Sequence, residues 1–207
     1  MRDSHELLDG GEAQSFIDAG KDAENRRIFL KLVIATGAAA LSGPVQAVEK
    51  EPKDLRPQAG DRFVHAHGDR QGAVIKPEDL APGGPPILAW PVDSNTNTVR
   101  DGSLLNHVLL VRIGEADVDE TTRARSADGI VGYSGICTHA QCPVSEWSAE
   151  RKIFHCPCHQ SEFDPKLGGK VVSGPALRPL ASLPLKIVDG MLVAADTFRG
   201  RVGTRAT

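Results

Sequence analysis

A chain of 207 residues with a formal net charge of -3 is long enough for one domain with a core plus a targeting or tethering segment, and too short for two large domains. Its charge balance argues against nucleic acid or anionic lipid as the main partner, since either would favour a concentrated basic surface. The 4 cysteines all lie between positions 137 and 158 and are read as one site, while 1 Tyr and 2 Trp against 21 Gly and 14 Pro favour short strands and many turns over a helix bundle.

Residues 1–24 are polar and lean acidic, with Asp3, Glu6, Asp9, Glu12, Asp18, Asp22 and Glu24, and are expected to be a weakly structured N-terminal extension. Residues 25–48 then read Asn25-Arg26-Arg27-Ile28-Phe29-Leu30-Lys31 followed by the apolar, small-residue run Leu32–Val48. This looks like a twin-arginine export signal. The expectation is a protein delivered already folded to an oxidising compartment, periplasmic or membrane-anchored facing the periplasm. Val45-Gln46-Ala47 resembles a cleavage site, and residues 28–48 are also a candidate membrane anchor, although Leu32–Val48 is shorter than the roughly 20 residues that span a bilayer. Cleavage and retention both stand as readings. Residues 49–60, charged and carrying Pro52 and Pro57, read as a linker.

From residue 61 to 197, short apolar or alternating runs bounded by Gly, Pro, Asn and Asp predict strands at Arg62–Ala66, Gly72–Lys76, Ile87–Val92, His107–Ile113, Gly129–Tyr133, Lys152–His155, Lys170–Val172, Pro184–Val188 and Met191–Ala194. Asp189-Gly190 between the last two supplies the positive φ angles of a tight hairpin turn. Residues 93–101 and 114–128 read as surface loops, Asp164-Pro165 as a turn, and residues 198–207, with Arg199, Arg201 and Arg205, as a solvated basic tail that could dock an acidic partner. The fold class expected is all-β, a small antiparallel β-sandwich.

Two boxes carry the chemistry: Cys137-Thr138-His139-Ala140-Gln141-Cys142 and Cys156-Pro157-Cys158-His159-Gln160-Ser161. A zinc ribbon would need two C-x-x-C knuckles, which neither box contains, and a pure disulfide scaffold would not place a His two residues after one Cys and three after another. The boxes do supply two Cys-to-His pairs, Cys137 with His139 and Cys156 with His159. Thiolates suit one iron of a cluster, and two neutral imidazoles on the other lower the total negative charge and raise the reduction potential. Cys142 and Cys158 are left over as a symmetrical pair.

Over about residues 129–195 the sequence resembles Rieske iron–sulfur proteins of the disulfide-containing branch, typified by the iron–sulfur subunits of cytochrome bc-type complexes. The resemblance implies the Rieske fold with a cluster-binding part at about 129–182, a [2Fe-2S] cluster with Cys137 and Cys156 on one iron and His139 and His159 on the other, and a disulfide between Cys142 and Cys158. It further implies that Gly174-Pro175-Ala176 is the loop covering the cluster, and that Ser161 donates to a bridging sulfide, which stabilises the reduced state. Phe163 stands where high-potential members have a tyrosine donor, and Gln160 where a glycine is usual. The missing hydroxyl lowers the expected potential, and the same Phe is a feature of the arsenite-oxidase small subunit.

The function this implies is one-electron transfer, with no substrate chemistry on this chain alone. Its partners would be redox subunits, a cytochrome or a molybdenum subunit, and a quinol. A bc-type subunit is the leading reading and an arsenite-oxidase-like small subunit the alternative; a Rieske ferredoxin or a zinc-binding structural domain fits less well. Of the other candidates, His65 and His67 lack a third metal ligand nearby in sequence and read as exposed strand residues. His155 reads as a strand residue pointing away from the cluster, and Trp147 and Phe154 as packing rather than electron relays.

Overall fold

A computed structural model describes residues 50–204; the N-terminal extension and the signal or anchor at 1–48 lie outside the described residues. The strands are β1 (Arg62–His65), β2 (Ile87–Val92), β3 (Val108–Arg112), β4 (Ile130–Ser134), β5 (Glu146–Ser148), β6 (Ile153–Cys156), β7 (Ser161–Asp164), β8 (Lys170–Ser173), β9 (Ser182–Leu183), β10 (Leu185–Val188) and β11 (Met191–Ala194). They form three sheets with antiparallel pairing throughout, ordered β1-β2-β3-β4-β9, β10-β11 and β5-β6-β7-β8. This is the all-β architecture expected. No helix among the described residues is long and apolar enough to cross a membrane.

β3 explains how the layers stack. Its residues Val108-Leu109-Leu110-Val111 are all buried, an unbroken apolar run because both faces of the strand are covered. Val108 and Leu110 pack with Phe63, Ile130, Leu183 and Leu192 on the side closed by the β10-β11 hairpin. Leu109 and Val111 face the opposite way, into a second core with Tyr133, Phe154, Phe163, Cys137 and Cys156. Period-two alternation in one central strand thus sets a structural base on one side and seats the cysteine-bearing sheet on the other.

The expected hairpin is present: Asp189 and Gly190 have φ of 50° and 75° between the paired residues Val188 and Met191. Three strands escaped the sequence reading, β5, β7 and β9. Each of β5 and β7 holds one aromatic in a polar run, and long-range register supplies the rest. Trp147 pairs with Phe154, and Phe154 with Phe163, which makes a cross-strand aromatic row; Trp147 and Phe154 are packing residues, with ring centroids 5.4 Å apart. Conversely Gly72–Lys76 is not a strand. It runs beside β1, bridging Val74 to Val64 and bonding the Ile75 amide to the Phe63 carbonyl and the His65 amide to the Ala73 carbonyl, but Gly72 at φ +79° and Pro77, which opens a 3-10 turn, leave the paired stretch too short for a strand. Residues 114–128 are loop in part, but Asp119 caps a single helical turn, α1 (Glu120–Arg123), by accepting from the Thr122 amide at 2.7 Å, and Thr122 is buried.

Both ends of the domain differ from expectation. Residues 50–60, read as a linker, are fastened to the body: the Arg100 guanidinium donates to the Pro52 carbonyl at 2.9 Å, and Asn106 Nδ2 to the Leu55 carbonyl at 2.9 Å. The tail does not run into solvent from residue 198, because Arg199 pairs with Ser182 through backbone bonds of 3.0 and 2.7 Å. A buried anchor on the body outweighs the polar composition in each case.

His107, just before β3, is 8% exposed and stacks on Trp90 with centroids 3.8 Å apart. Desolvation pushes its imidazole from 6.5 down to about 4, with the charge of His67 acting the same way. The unfolded chain therefore binds this proton at higher pH than the folded one, so the stabilisation is complete above the unfolded value and is lost as pH falls toward 4. About 2 kcal/mol should disappear between pH ~7.5 and pH ~5. In urea titrations His107→Phe is expected to flatten the acid limb by that amount; an unchanged limb would rule His107 out as its source.

Candidate metal centre

The two boxes fold as two copies of one turn. β4 runs out through Gly135 and Ile136 into Cys137, where the Cys137 amide donates to the Cys142 carbonyl at 2.8 Å and the Gln141 amide to the Cys137 carbonyl at 3.1 Å. Cys156 ends β6 opposite Ser161 at the start of β7, and the Gln160 amide donates to the Cys156 carbonyl, again at 3.1 Å. The fifth residue of each turn, Gln141 and Gln160, sits in the left-handed region at φ 61° and 59°. That explains why a glycine is usual at the position of Gln160. Here its side chain makes up contacts, donating to the Pro157 carbonyl at 3.1 Å and facing the His155 ring at 2.9 Å. The other nitrogen of His155 faces Glu146, so this residue points away from the site, as expected.

A disulfide joins Cys142 and Cys158, with Cα atoms 6.5 Å apart. Cys137 and Cys156 remain free thiols, both buried. Burial pushes the Cys156 thiol up, backbone donors from Cys158 and His159 pull the other way, and the Cys137 side chain beside it adds to the rise. Holding Cys156 as a thiolate therefore calls for a cation nearby. The His139 and His159 rings meet at 4.7 Å, nearly perpendicular at 82°. His159 is exposed and His139 half-buried, and Nδ1 of His139 is a buried atom with no hydrogen-bond partner. Metal coordination removes that desolvation cost. Two soft thiols, two imidazoles and an orphaned ring nitrogen fit a two-iron cluster with unlike irons.

The third loop arrives from β8. Gly174, at φ +85°, approaches so closely that a Cβ would lie 2.5 Å from the Gln160 carbonyl oxygen and the Ser161 Cα; only glycine fits. Pro175 follows, and the Ala176 amide donates to Ser161 Oγ at 3.2 Å. Ser161 and Phe163 are both fully buried, Ser161 beneath this loop and Phe163 in the core that contains Cys137 and Cys156. Sequence reading missed Thr138, whose hydroxyl donates to the Arg178 carbonyl at 2.6 Å, and the C-terminal contacts to Gln141; both are long-range bonds with no local signal. His65 and His67 gather no third ligand: among the described residues the one convergent group is Cys142, Cys156 and Cys158.

Residues 94–184 match the Rieske [2Fe-2S] domain. A cytochrome bc1 complex Rieske iron-sulfur subunit of Corynebacterium diphtheriae is 39% identical over 104 residues, 47% of this chain and 26% of that protein, so the chain spans about a quarter of that relative's length. A putative respiratory nitrate reductase subunit Rieske of Haloferax mediterranei is 32% identical over 186 residues, 86% of this chain and 80% of its own. The bc1 Rieske subunit of Streptomyces lividans is 30% identical over 73% of this chain and 95% of its own length. Among solved structures, the soluble domain of Rieske protein II from Sulfolobus acidocaldarius aligns at 25% identity and a TM-score of 0.36, covering 49% of this chain and 68% of that one. With near-complete relatives at this identity, and a paired-loop site whose donors suit an iron–sulfur centre, the chain belongs to the Rieske family and carries a [2Fe-2S] cluster.

Proposed function

We propose that Cys137 and Cys156 hold one iron and His139 and His159 the other, and that the chain is the electron-transfer subunit of an exported or membrane-associated quinol:cytochrome c reductase of bc type. The observation that carries the ligand reading is the orphaned Nδ1 of His139 beside His159, on a loop tied by the disulfide to the one that holds Cys156. When bound, the cluster supplies one-electron redox chemistry. The chain's residues would do the rest: buried Cys137 and Cys156 would keep water from the sulfurs, and the exposed His159 ring would present its outer nitrogen to a docked donor, to take up the proton the donor loses with its electron. A disulfide in the same site fits an oxidising compartment, in keeping with export by the twin arginines Arg26-Arg27 and with partners such as a cytochrome subunit and a quinol.

A second reading is an electron-transfer subunit of another respiratory oxidoreductase, arsenite-oxidase-like or nitrate-reductase-like. It is favoured by the Haloferax relative, which aligns over 86% of this chain, and by Phe163, which brings no hydroxyl to the site. An EPR-monitored redox titration across pH separates the two. A potential toward the top of the roughly -150 to +300 mV Rieske range that falls at alkaline pH supports quinol oxidation. A clearly lower value supports the second reading, and absence of a Rieske signal overturns both.

Ser161 gives a more specific prediction. Its Oγ accepts from Ala176, which leaves the hydroxyl hydrogen free to be donated to the cluster. A hydrogen bond to a charged acceptor contributes roughly 1.5–3 kcal/mol, and the part by which it strengthens on reduction sets the shift, so Ser161→Ala is expected to lower the potential by up to roughly 130 mV for one electron. A shift below ~20 mV would mean the hydroxyl points elsewhere.

A further inference from the structure

We propose that the C-terminal segment Arg199–Thr204 is a positioning strap that fixes the loop carrying His139. The segment is not an idle tail. Arg199 pairs with Ser182 in both directions, at 3.0 and 2.7 Å, and this bridge aims the following residues back across the site. Gly203 is buried, and its carbonyl accepts from Arg178 Nη2 at 2.6 Å. Thr204 Oγ1 accepts from Gln141 Nε2 at 2.7 Å. Arg178 in turn offers its own carbonyl to the Thr138 hydroxyl at 2.6 Å.

These bonds bracket His139. The residue before it is tied to Arg178 and the residue two after it to Thr204, and both anchors meet at Gly203-Thr204. The close fit is visible at Gly203, which has φ +66° and where an added Cβ would lie 3.1 Å from Gln141 Cγ. Within the His139 loop itself, the hydrogen bonds of 138–141 reduce to the Gln141 amide on the Cys137 carbonyl, so most of its definition comes from outside. The strap also completes a wall: Thr204 and Arg178 join Thr138, His139, Pro175 and Leu177 around an open groove of about 380 Å³. Leu177 there is 93% exposed, so the strap and the proline loop together shape the surface next to His139.

The strap acts on the cluster only through His139, and so rests on the ligand assignment above. The test uses the full chain with Gln141→Met and Thr204→Val, each of which deletes one polar end of the exposed tie while keeping its bulk, and Thr204→Ser, which keeps the hydroxyl. Two readouts are needed: the EPR g-values and potential of the loaded protein, and amide hydrogen exchange of residues 138–141 in the iron-free protein. Gln141→Met and Thr204→Val are expected to speed exchange in this loop by several-fold, up to about tenfold, and to broaden and shift the EPR signal, while Thr204→Ser stays at wild-type values in both. A wild-type Rieske signal with neither readout changed in the two disabling variants overturns the strap. Faster exchange in a protein whose wild type shows no Rieske signal upholds the strap as a loop brace and defeats the ligand assignment instead.

Discussion

Arg100→Ala is expected to lower the unfolding free energy by roughly 3–5 kcal/mol. The guanidinium is 2% exposed and bonds Asp61 with two nitrogens, Nε to Oδ2 at 2.6 Å and Nη2 to Oδ1 at 2.9 Å. Nη2 also reaches Asp93 at 3.1 Å, and Nη1 the Pro52 carbonyl. Asp61 is equally buried, at 2%, so deleting the arginine strands a carboxylate in the interior, and that uncompensated charge makes up most of the loss. The planar fork matters as well as the charge. Arg100→Lys should recover only part of the stability, because an ammonium cannot reach Asp61 twice and Pro52 once. The same change removes the tie to the Pro52 carbonyl while Asn106 still holds Leu55, so limited proteolysis near Lys53 should become faster. Guanidinium unfolding that moves by less than ~1 kcal/mol would show that the pair is hydrated rather than buried.

That clamp also marks where sequence reading stopped. Asp61 and Arg100 are 39 residues apart, and nothing local to Pro52, Lys53 or Pro57 signals an anchor; composition reads the stretch as solvated. The strap failed for the same reason, with Gln141 and Thr204 separated by 63 residues and Gly200 and Gly203 reading as loose chain. What was legible was what sequence-local physics determines. β2 came out with the observed ends because Pro86 and Asp93 bound its apolar run, and the last hairpin followed from Asp189-Gly190. β7 was not legible, since Ser-Glu-Phe-Asp has one apolar residue and Ser161 is buried by accepting from Ala176, fifteen residues on. The family and its pair of disulfide-linked loops were more legible than the fold around them, because each loop carries its Cys and His within three residues of one another, a signal that is local in sequence.

Removing the disulfide should have an effect that depends on the cluster. Cys142 and Cys158 are 16 residues apart, and closing a loop of that length restricts the unfolded chain by about 3 kcal/mol. In the iron-free protein, where the sulfur bridge alone joins the two ligand loops covalently, Cys142→Ala with Cys158→Ala should cost close to that amount. In loaded protein that keeps its cluster on the unfolded chain, the proposed ligands Cys137, His139, Cys156 and His159 still cross-link the same loops through the metal, so the entropy the disulfide removes has mostly been removed. The expected cost there is about 1 kcal/mol or less. Paired denaturant titrations of loaded and iron-free protein measure both values. Because Cys158 is exposed and Cys142 half-buried, a small-thiol reductant provides an independent comparison without mutation. Equal losses with and without iron would mean that no metal bridges the two loops in the unfolded chain, and that the disulfide alone restricts it.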